Sequence, residues 1–373
     1  MAEALVDRVQ LEPGMRVLDP GVGTGELLAA AARRQDGLEL FGWDVDKAVL
    51  AAAAEHIPEA GLEKRSALKA WDGEPFDLVI GNPPYFQFRP GPALKEKYAG
   101  VISGRANIFA FFFQAGLEVL KPGGLLAFIV PPSLNSGAYF EALREHISDH
   151  ASVESLTVLE GTDLFEGANT AVQLLVLRKN QPGVEPTGGF RFEKSDPGSG
   201  FRRVIFTADP EALADCFEGR RTLWELGFEA FTGTIVWNQH RTALTKHPSD
   251  EVVPLIWSHN LKGGEIEFGN KPDKPQYIYP PGEVDQGPAV LVNRVVGSVG
   301  KGELRTALVP VGAEFLAENH VNVIRIRPEV PQMVDWKQLH EYFQDPGAAE
   351  RLRLLTGNTQ ISATELTHLL PLG

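Results

Sequence analysis

Val17-Leu-Asp-Pro-Gly-Val-Gly-Thr-Gly-Glu26 is the stretch on which the fold of this chain turns. A short apolar run ends in Asp19, and Pro20 with Gly21, Gly23 and Gly25 then turns the chain into an Ala/Leu-rich segment of helical period. Glycines allow a tight turn and close backbone approach to a ligand, and the amino end of a helix can receive a polar or anionic group. The glycine spacing is not that of the dinucleotide GxGxxG pattern, so alone the segment also reads as an ordinary strand-to-helix turn.

Outward from this turn the hydrophobic period switches repeatedly between strand and helix, as a doubly wound α/β sheet requires. Met15 to Leu18, Leu38 to Trp43, Phe76 to Ile80 and Leu125 to Val130 read as buried strands. Gly25 to Arg34, Lys47 to His56, Asn107 to Leu120 and Gly137 to His146 read as the helices between and after them, with Lys121-Pro-Gly-Gly as a helix stop. Val153 to Leu159 and Ala171 to Leu177 are expected to close the sheet as an antiparallel pair at one edge. A Pro/Gly-rich, charged stretch from Gln181 to Gly200 precedes a domain boundary near residue 220. Beyond it, Val252 to Trp257, Ala289 to Val296 and His320 to Ile326 read as strands, and Trp336 to Phe343 and Ala348 to Leu355 as helices. The expectation is a Rossmann-like α/β domain over residues 1–220 and a mixed α+β domain over 221–373.

Two further features sit where such sheets bind ligands, at the carboxyl ends of strands. Asp44, after the second strand, can accept hydrogen bonds from both hydroxyls of a ribose or cap the next helix, and Asp46 fits the cap better because it directly precedes that helix. The decisive string is Asn82-Pro83-Pro84-Tyr85, immediately after the strand Phe76 to Ile80. A chance occurrence in a chain this long has a probability on the order of one in a thousand at average residue usage. The prolines stiffen the loop and hold an amide side chain, a backbone carbonyl and an aromatic ring together; the blander reading is a rigid turn with a packed tyrosine.

Composition bounds the function. With 373 residues, 43% hydrophobic and 23% charged, the chain is neither disordered nor fibrous. Its apolar runs fall far short of the roughly 18 to 20 residues that cross a bilayer, and no basic-then-apolar leader opens it, so a cytoplasmic protein is expected. One cysteine, Cys216, and nine histidines that show no HExxH spacing leave no HExxH or cysteine-based metal site, which points to an organic cofactor. Net charge is −14, yet it is uneven: residues 1–220 carry net −10, 221–310 net −1 and 311–373 net −3. The nearly neutral middle permits a polyanionic partner without proving one.

In this order, Asp-Pro-x-x-Gly-x-Gly, an acid after the second strand, then Asn-Pro-Pro-Tyr, the chain resembles the gamma-class, TaqI-type DNA adenine-N6 methyltransferases. Lys121-Pro-Gly-Gly with Leu125 to Pro131, the later Phe165, and, past residue 220, Val253-Pro-Leu-Ile, Asn260-Leu-Lys-Gly-Gly and Leu369-Leu-Pro-Leu extend the resemblance over nearly the whole chain. The resemblance implies S-adenosyl-L-methionine held by Asp19, Pro20, Gly21, Gly23, Gly25 and Asp44, with Val45 on the cofactor adenine unless it is a buried strand valine. It implies that Asn82 and the Pro83 carbonyl accept the two hydrogens of an adenine amine, drawing its delocalised lone pair towards the methyl donor. Tyr85 would stack on the flipped base and Phe165 on its other face, unless Phe165 is a core aromatic; such stacking is worth about 1 to 3 kcal/mol per ring. Residues 221–373 would recognise duplex DNA, with Asn260 and Lys262 as candidate contacts.

Two features depart from the family pattern. No aromatic-Thr-Pro segment precedes Val17, so weak cofactor binding, or a natural chain beginning further upstream, is expected. No acid lies in the stretch Arg65 to Trp71, which leaves Asp72 as the candidate partner of the cofactor's adenine amine. Relatives with the same tetrapeptide methylate a protein glutamine or a ribosomal RNA base amine, and a cofactor-free DNA-binding protein is a third possibility. The added second domain favours a monomeric, site-specific DNA enzyme of a restriction-modification system, with a cognate endonuclease as a possible partner.

Overall fold

The computed structural model describes residues 1–373 except 103, 105–106, 160–171, 185–188, 197, 270–273, 295–302 and 357–359. The chain divides into two compact units, residues 1–193 with 203–210, and residues 194–202 with 211–373.

The first unit is a seven-stranded sheet built from β1 (Arg16–Asp19), β2 (Glu39–Asp44), β3 (Gly61–Lys64), β4 (Phe76–Gly81), β5 (Leu120–Val130), β6 (Ala151–Leu159) and β7 (Val172–Lys179), in the order β3-β2-β1-β4-β5-β7-β6. β1 to β5 run parallel, and β7 inserts antiparallel between β5 and β6. Its helices are α1 (Ala2–Val6), α2 (Glu26–Arg34), α3 (Lys47–His56), α4 (Pro92–Lys97), α5 (Ile108–Val119) and α6 (Glu141–His150). Successive strand side chains alternate between the two faces. Leu18, Trp43, Val79 and Phe128 pack with the phenylalanines of α5 on one side, and Val17, Leu40, Leu78, Ile80 and Ala127 pack with α1 and α2 on the other. Burial on both faces is why these strands read as continuous apolar runs. Phe109, Phe111 and Phe113 are wholly buried, and each contributes roughly 1.5–3 kcal/mol by leaving water.

As expected, the helix stops just before Lys121-Pro-Gly-Gly: α5 ends at Val119, and the four residues form an irregularity in β5 across which the pairing jumps from Phe76 with Leu120 to Leu78 with Leu125. Two local details differ from expectation. The helix expected over 137–146 is a 3₁₀ turn at Ala138–Phe140 followed by α6. β3 was not foreseen, because its four residues are mostly exposed at the sheet edge and carry no apolar pattern.

In the second unit, Phe228–Thr232, Val321–Ile326, Ala289–Asn293 and Thr306–Val309 form an antiparallel four-stranded sheet. One of its faces packs Val290, Val292 and Ile324 against Leu339 and Phe343 of the helix Trp336–Gln344 and against Leu366. The other packs Leu291 and Val323 against Ile256, Phe315 and Ala317, which belong to a five-stranded mixed sheet. Among the described residues no helix is long and apolar enough to cross a membrane.

Candidate functional site

The sheet order reverses direction between β1 and β4, since β1 leads outward to β2 and β3 on one side while β4 leads to β5 on the other. Ligands bind at such a switch point, outside the carboxyl ends of the strands. Asp19, Asp44 and Gly81 end β1, β2 and β4, so Asp19, Asp44 and the Asn82 loop share this edge.

The glycine loop is shaped by local necessity. Gly25 precedes α2 with φ of +90°, and a Cβ there would sit 2.4 Å from Ile57 Cδ1, so both conformation and space demand glycine. The loop is tied to two carboxylates. Gly21 N–H donates to Asp19 Oδ1 at 3.0 Å, and Gly23 N–H donates to Asp44 Oδ2 at 3.2 Å. Asp44 Oδ1 also accepts from Asp46 N–H at 2.9 Å, while Asp46 caps α3 by accepting from Ala48 N–H at 2.8 Å, as expected of the residue before a helix. Asp19 is 2% exposed. Burial first, and the nearby Asp44 charge second to it in the same direction, push its carboxyl from 3.8 up to about 7, against the lowering effect of the Gly21 N–H.

Asn82 is exposed at the end of β4, and Pro83 behind it is buried. The Tyr85 hydroxyl lies within donating distance of two acceptors, Asn82 Oδ1 at 2.7 Å and the Ile129 carbonyl at the end of β5 at 2.6 Å, and its one hydrogen goes to one of them at a time. Burial pushes this hydroxyl well above its ordinary value, so it stays a donor. The ring sits edge-on to Phe109 at 6.1 Å. Because a carboxamide oxygen has two lone pairs, Asn82 can accept from Tyr85 and from an incoming N–H together.

Val45 is not a buried strand valine; it is 64% exposed beside Asp44, past the end of β2. Asp72 is exposed in the loop before β4, and no described contact joins it to Asp19, Asp44 or Asn82. Phe165 lies outside the described residues. Asn260 corrects an expectation: it is wholly buried, its oxygen accepts from Trp257 N–H at 2.8 Å, and its amide donates to the Glu267 carbonyl and to Gln276 Oε1, both at 2.7 Å. With its hydrogen-bonding capacity spent inside the second unit, it presents nothing to DNA. Lys262 is exposed and pairs with Glu267 at 3.1 Å. Sequence reasoning missed the Ile129 carbonyl, which any residue supplies, and the reciprocal amide pair of Asn135 and the wholly buried Gln173, at 2.6 and 2.9 Å, which braces the chain just past β5.

Sheet order and site together define a Rossmann-like α/β unit with a ligand site at its switch point. Residues 44–165 match the Eco57I restriction-modification methylase family. The chain is similar to modification methylase CviBIII of Paramecium bursaria Chlorella virus NC1A, 26% identical over 71% of this chain and 64% of that protein, and so spans less than two thirds of that relative. It is also similar to type II methyltransferase M.CvrRI of Paramecium bursaria Chlorella virus XZ-6E, 25% identical over 93% of this chain and 85% of that one. Among solved structures, the methyltransferase subunit of a type I restriction-modification system from Streptococcus thermophilus is 19% identical over 59% of this chain and 51% of that chain, with a TM-score of 0.43. The chain thus resembles the gamma-class methyltransferases, and its cofactor is S-adenosyl-L-methionine. The residues present fit that molecule: two carboxylates for a cationic nucleoside, lone pairs remaining on Asp44 for ribose hydroxyls, and an exposed Val45 for an apolar ring.

Proposed function

We propose that this chain is a site-specific DNA adenine-N6 methyltransferase, the cytoplasmic modification enzyme of a restriction-modification system, with residues 1–220 catalytic and 221–373 recognising the target in duplex DNA. The observation that carries the reading is the Asn82 carboxamide, solvent-facing on a proline-stiffened loop and held by Tyr85, at the same strand edge as Asp19 and Asp44.

Bound S-adenosylmethionine supplies an electrophilic methyl group. Asp44 would hold its ribose, Val45 its adenine ring, and the Asp19 carboxylate would complement its positive charge. An exocyclic adenine amine is a weak nucleophile because its lone pair is delocalised into the ring. Asn82 Oδ1 and the Pro83 carbonyl accept its two hydrogens, which favours a tetrahedral nitrogen whose lone pair is free to attack. The Tyr85 hydroxyl fixes the carboxamide, and its ring stacks on the extruded base. No strong base is required, since the proton leaves from a nitrogen that has become positively charged and passes to water at the exposed Asn82.

Incubation with labelled S-adenosylmethionine and mixed-sequence duplex DNA, followed by nucleoside analysis, tests this. N6-methyladenine formed by the wild type, abolished by Asn82→Ala with cofactor binding kept within a few-fold, is the expected outcome. Label on cytosine, on ribosomal RNA or on glutamine, or near wild-type turnover by Asn82→Ala, would overturn it.

A further inference from the structure

With Asn260 buried, the second unit needs another surface if it grips DNA, and one segment has the chemistry. No Asp or Glu occurs from Ala230 to Ser249, in a chain of net charge −14. Within it, Trp237, Asn238, Gln239, Arg241, Lys246 and His247 are all exposed. The Arg241 guanidinium lies over the Trp237 ring, 5.0 Å from its centroid, a cation–π contact that holds the two exposed side chains together. Neither Arg241 nor Lys246 forms an ion pair among the described residues, whereas Lys262 and Arg325 of the same unit are paired with carboxylates.

The segment is anchored at both ends. Ile235 is buried, donates its N–H to the Ala317 carbonyl at 3.1 Å and accepts from Asn319 N–H at 2.9 Å. Leu244–Thr245 forms the edge strand of the five-stranded sheet, paired with Tyr277–Ile278, and the Thr245 hydroxyl accepts from His247 N–H at 3.2 Å. Between these anchors the chain makes a 3₁₀ turn at Arg241–Ala243. Cations without carboxylate partners, a flat aromatic surface and amide side chains on a fixed loop suit a nucleic-acid backbone with base edges beside it. An acidic protein would use the cations but not the amides or the indole face.

We propose that residues 237–247 form the DNA-gripping surface of the second unit, with Arg241 and Lys246 on phosphates, Trp237 packing against the sugar and Asn238 and Gln239 towards base edges. This rests on the DNA-methyltransferase reading above and names the residues it leaves unassigned.

The test titrates the full chain against a duplex containing its methylation site over a range of salt. Each lost phosphate contact lowers the slope of log affinity against log salt by about 1 and the affinity at 0.1 M salt by roughly tenfold. Arg241→Gln and Lys246→Gln should each do this, the double variant should lower the slope by about 2, and cofactor binding should not change. Lys337→Gln, which removes the same charge from an exposed helix pair with Glu341, should leave the slope as it was. Wild-type slope and affinity in the double variant would overturn the inference while leaving the methyltransferase reading intact. So would a loss confined to polyglutamate or RNA binding with DNA binding preserved. Absence of DNA binding by the wild type would instead strike the reading on which the inference rests.

Discussion

Replacing Asp19 by asparagine probes a charge held where water cannot reach it. In the folded protein its carboxyl keeps a proton up to about pH 7, whereas in the unfolded chain it loses it near the ordinary 3.8. Between those limits the folded state binds more protons than the unfolded one, so its stability falls as pH rises through the window and the loss is complete above pH 7. The span corresponds to about 4 kcal/mol at about 1.36 kcal/mol per pKa unit. The carboxamide of the variant would remain neutral and keep an acceptor for the Gly21 N–H, which lies 3.0 Å from Asp19 Oδ1. Asp19→Asn should therefore match the wild type near pH 4 and exceed it by up to about 4 kcal/mol at about pH 8 without cofactor, read from urea unfolding followed through the tryptophans of the first unit. Cofactor binding should show the opposite face of the same charge: wild-type affinity should tighten as pH rises through 7, because a cationic ligand favours the carboxylate, and the variant should be weaker and flat with pH. A stability difference independent of pH would refute the reasoning, since it would mean that Asp19 carries no displaced proton.

Tyr85→Phe removes the hydroxyl that steadies Asn82 but keeps the ring, so turnover should fall by the equivalent of about 1 kcal/mol, roughly fivefold, with DNA affinity little changed. Tyr85→Ala should lose a further 1 to 3 kcal/mol or so of base stacking; steady-state kinetics in which the Phe variant is as impaired as the Ala variant would give the whole role to the hydroxyl. Asp44→Ala removes the acceptor of two loop N–H groups together with the ribose partner, and should weaken cofactor binding by about 1.5 to 3 kcal/mol in calorimetry; unchanged affinity would return Asp44 to a purely structural role.

Much of the first unit is legible in the chain because each signal there is local. A strand buried on both faces must be apolar along its whole length, and a helix between strands must be capped and periodic. Lys47–His56 begins after Asp46 because a carboxylate two residues before Ala48 satisfies an orphan N–H, a relation contained in the sequence. Gly25 is likewise readable as a turn glycine, although its closeness to Ile57 is not. Signals that depend on solvent rather than neighbours fared worse. Val45 resembles a strand residue by type but lies past the last β2 pairing, and Asn260 resembles a surface amide by type but is enclosed by Trp257, Glu267 and Gln276.

The sequence by itself determined which chemistry is available: an acid-ended strand with a glycine turn, a second acid, and an amide locked between a strand and two prolines. Their order along the chain fixes the strand each one ends, and parallel right-handed connections leave those ends on one edge. Only the tertiary structure decided what each group is worth. The ionisation of Asp19 depends on its exclusion from water and on Asp44, which ends a different strand. The setting of Asn82 depends on a carbonyl of β5 shared through Tyr85, and which cations of the second unit lack a carboxylate partner is known only once the carboxylates have been placed. Burial and distance set these energies, and neither is a property of a residue's neighbours in sequence.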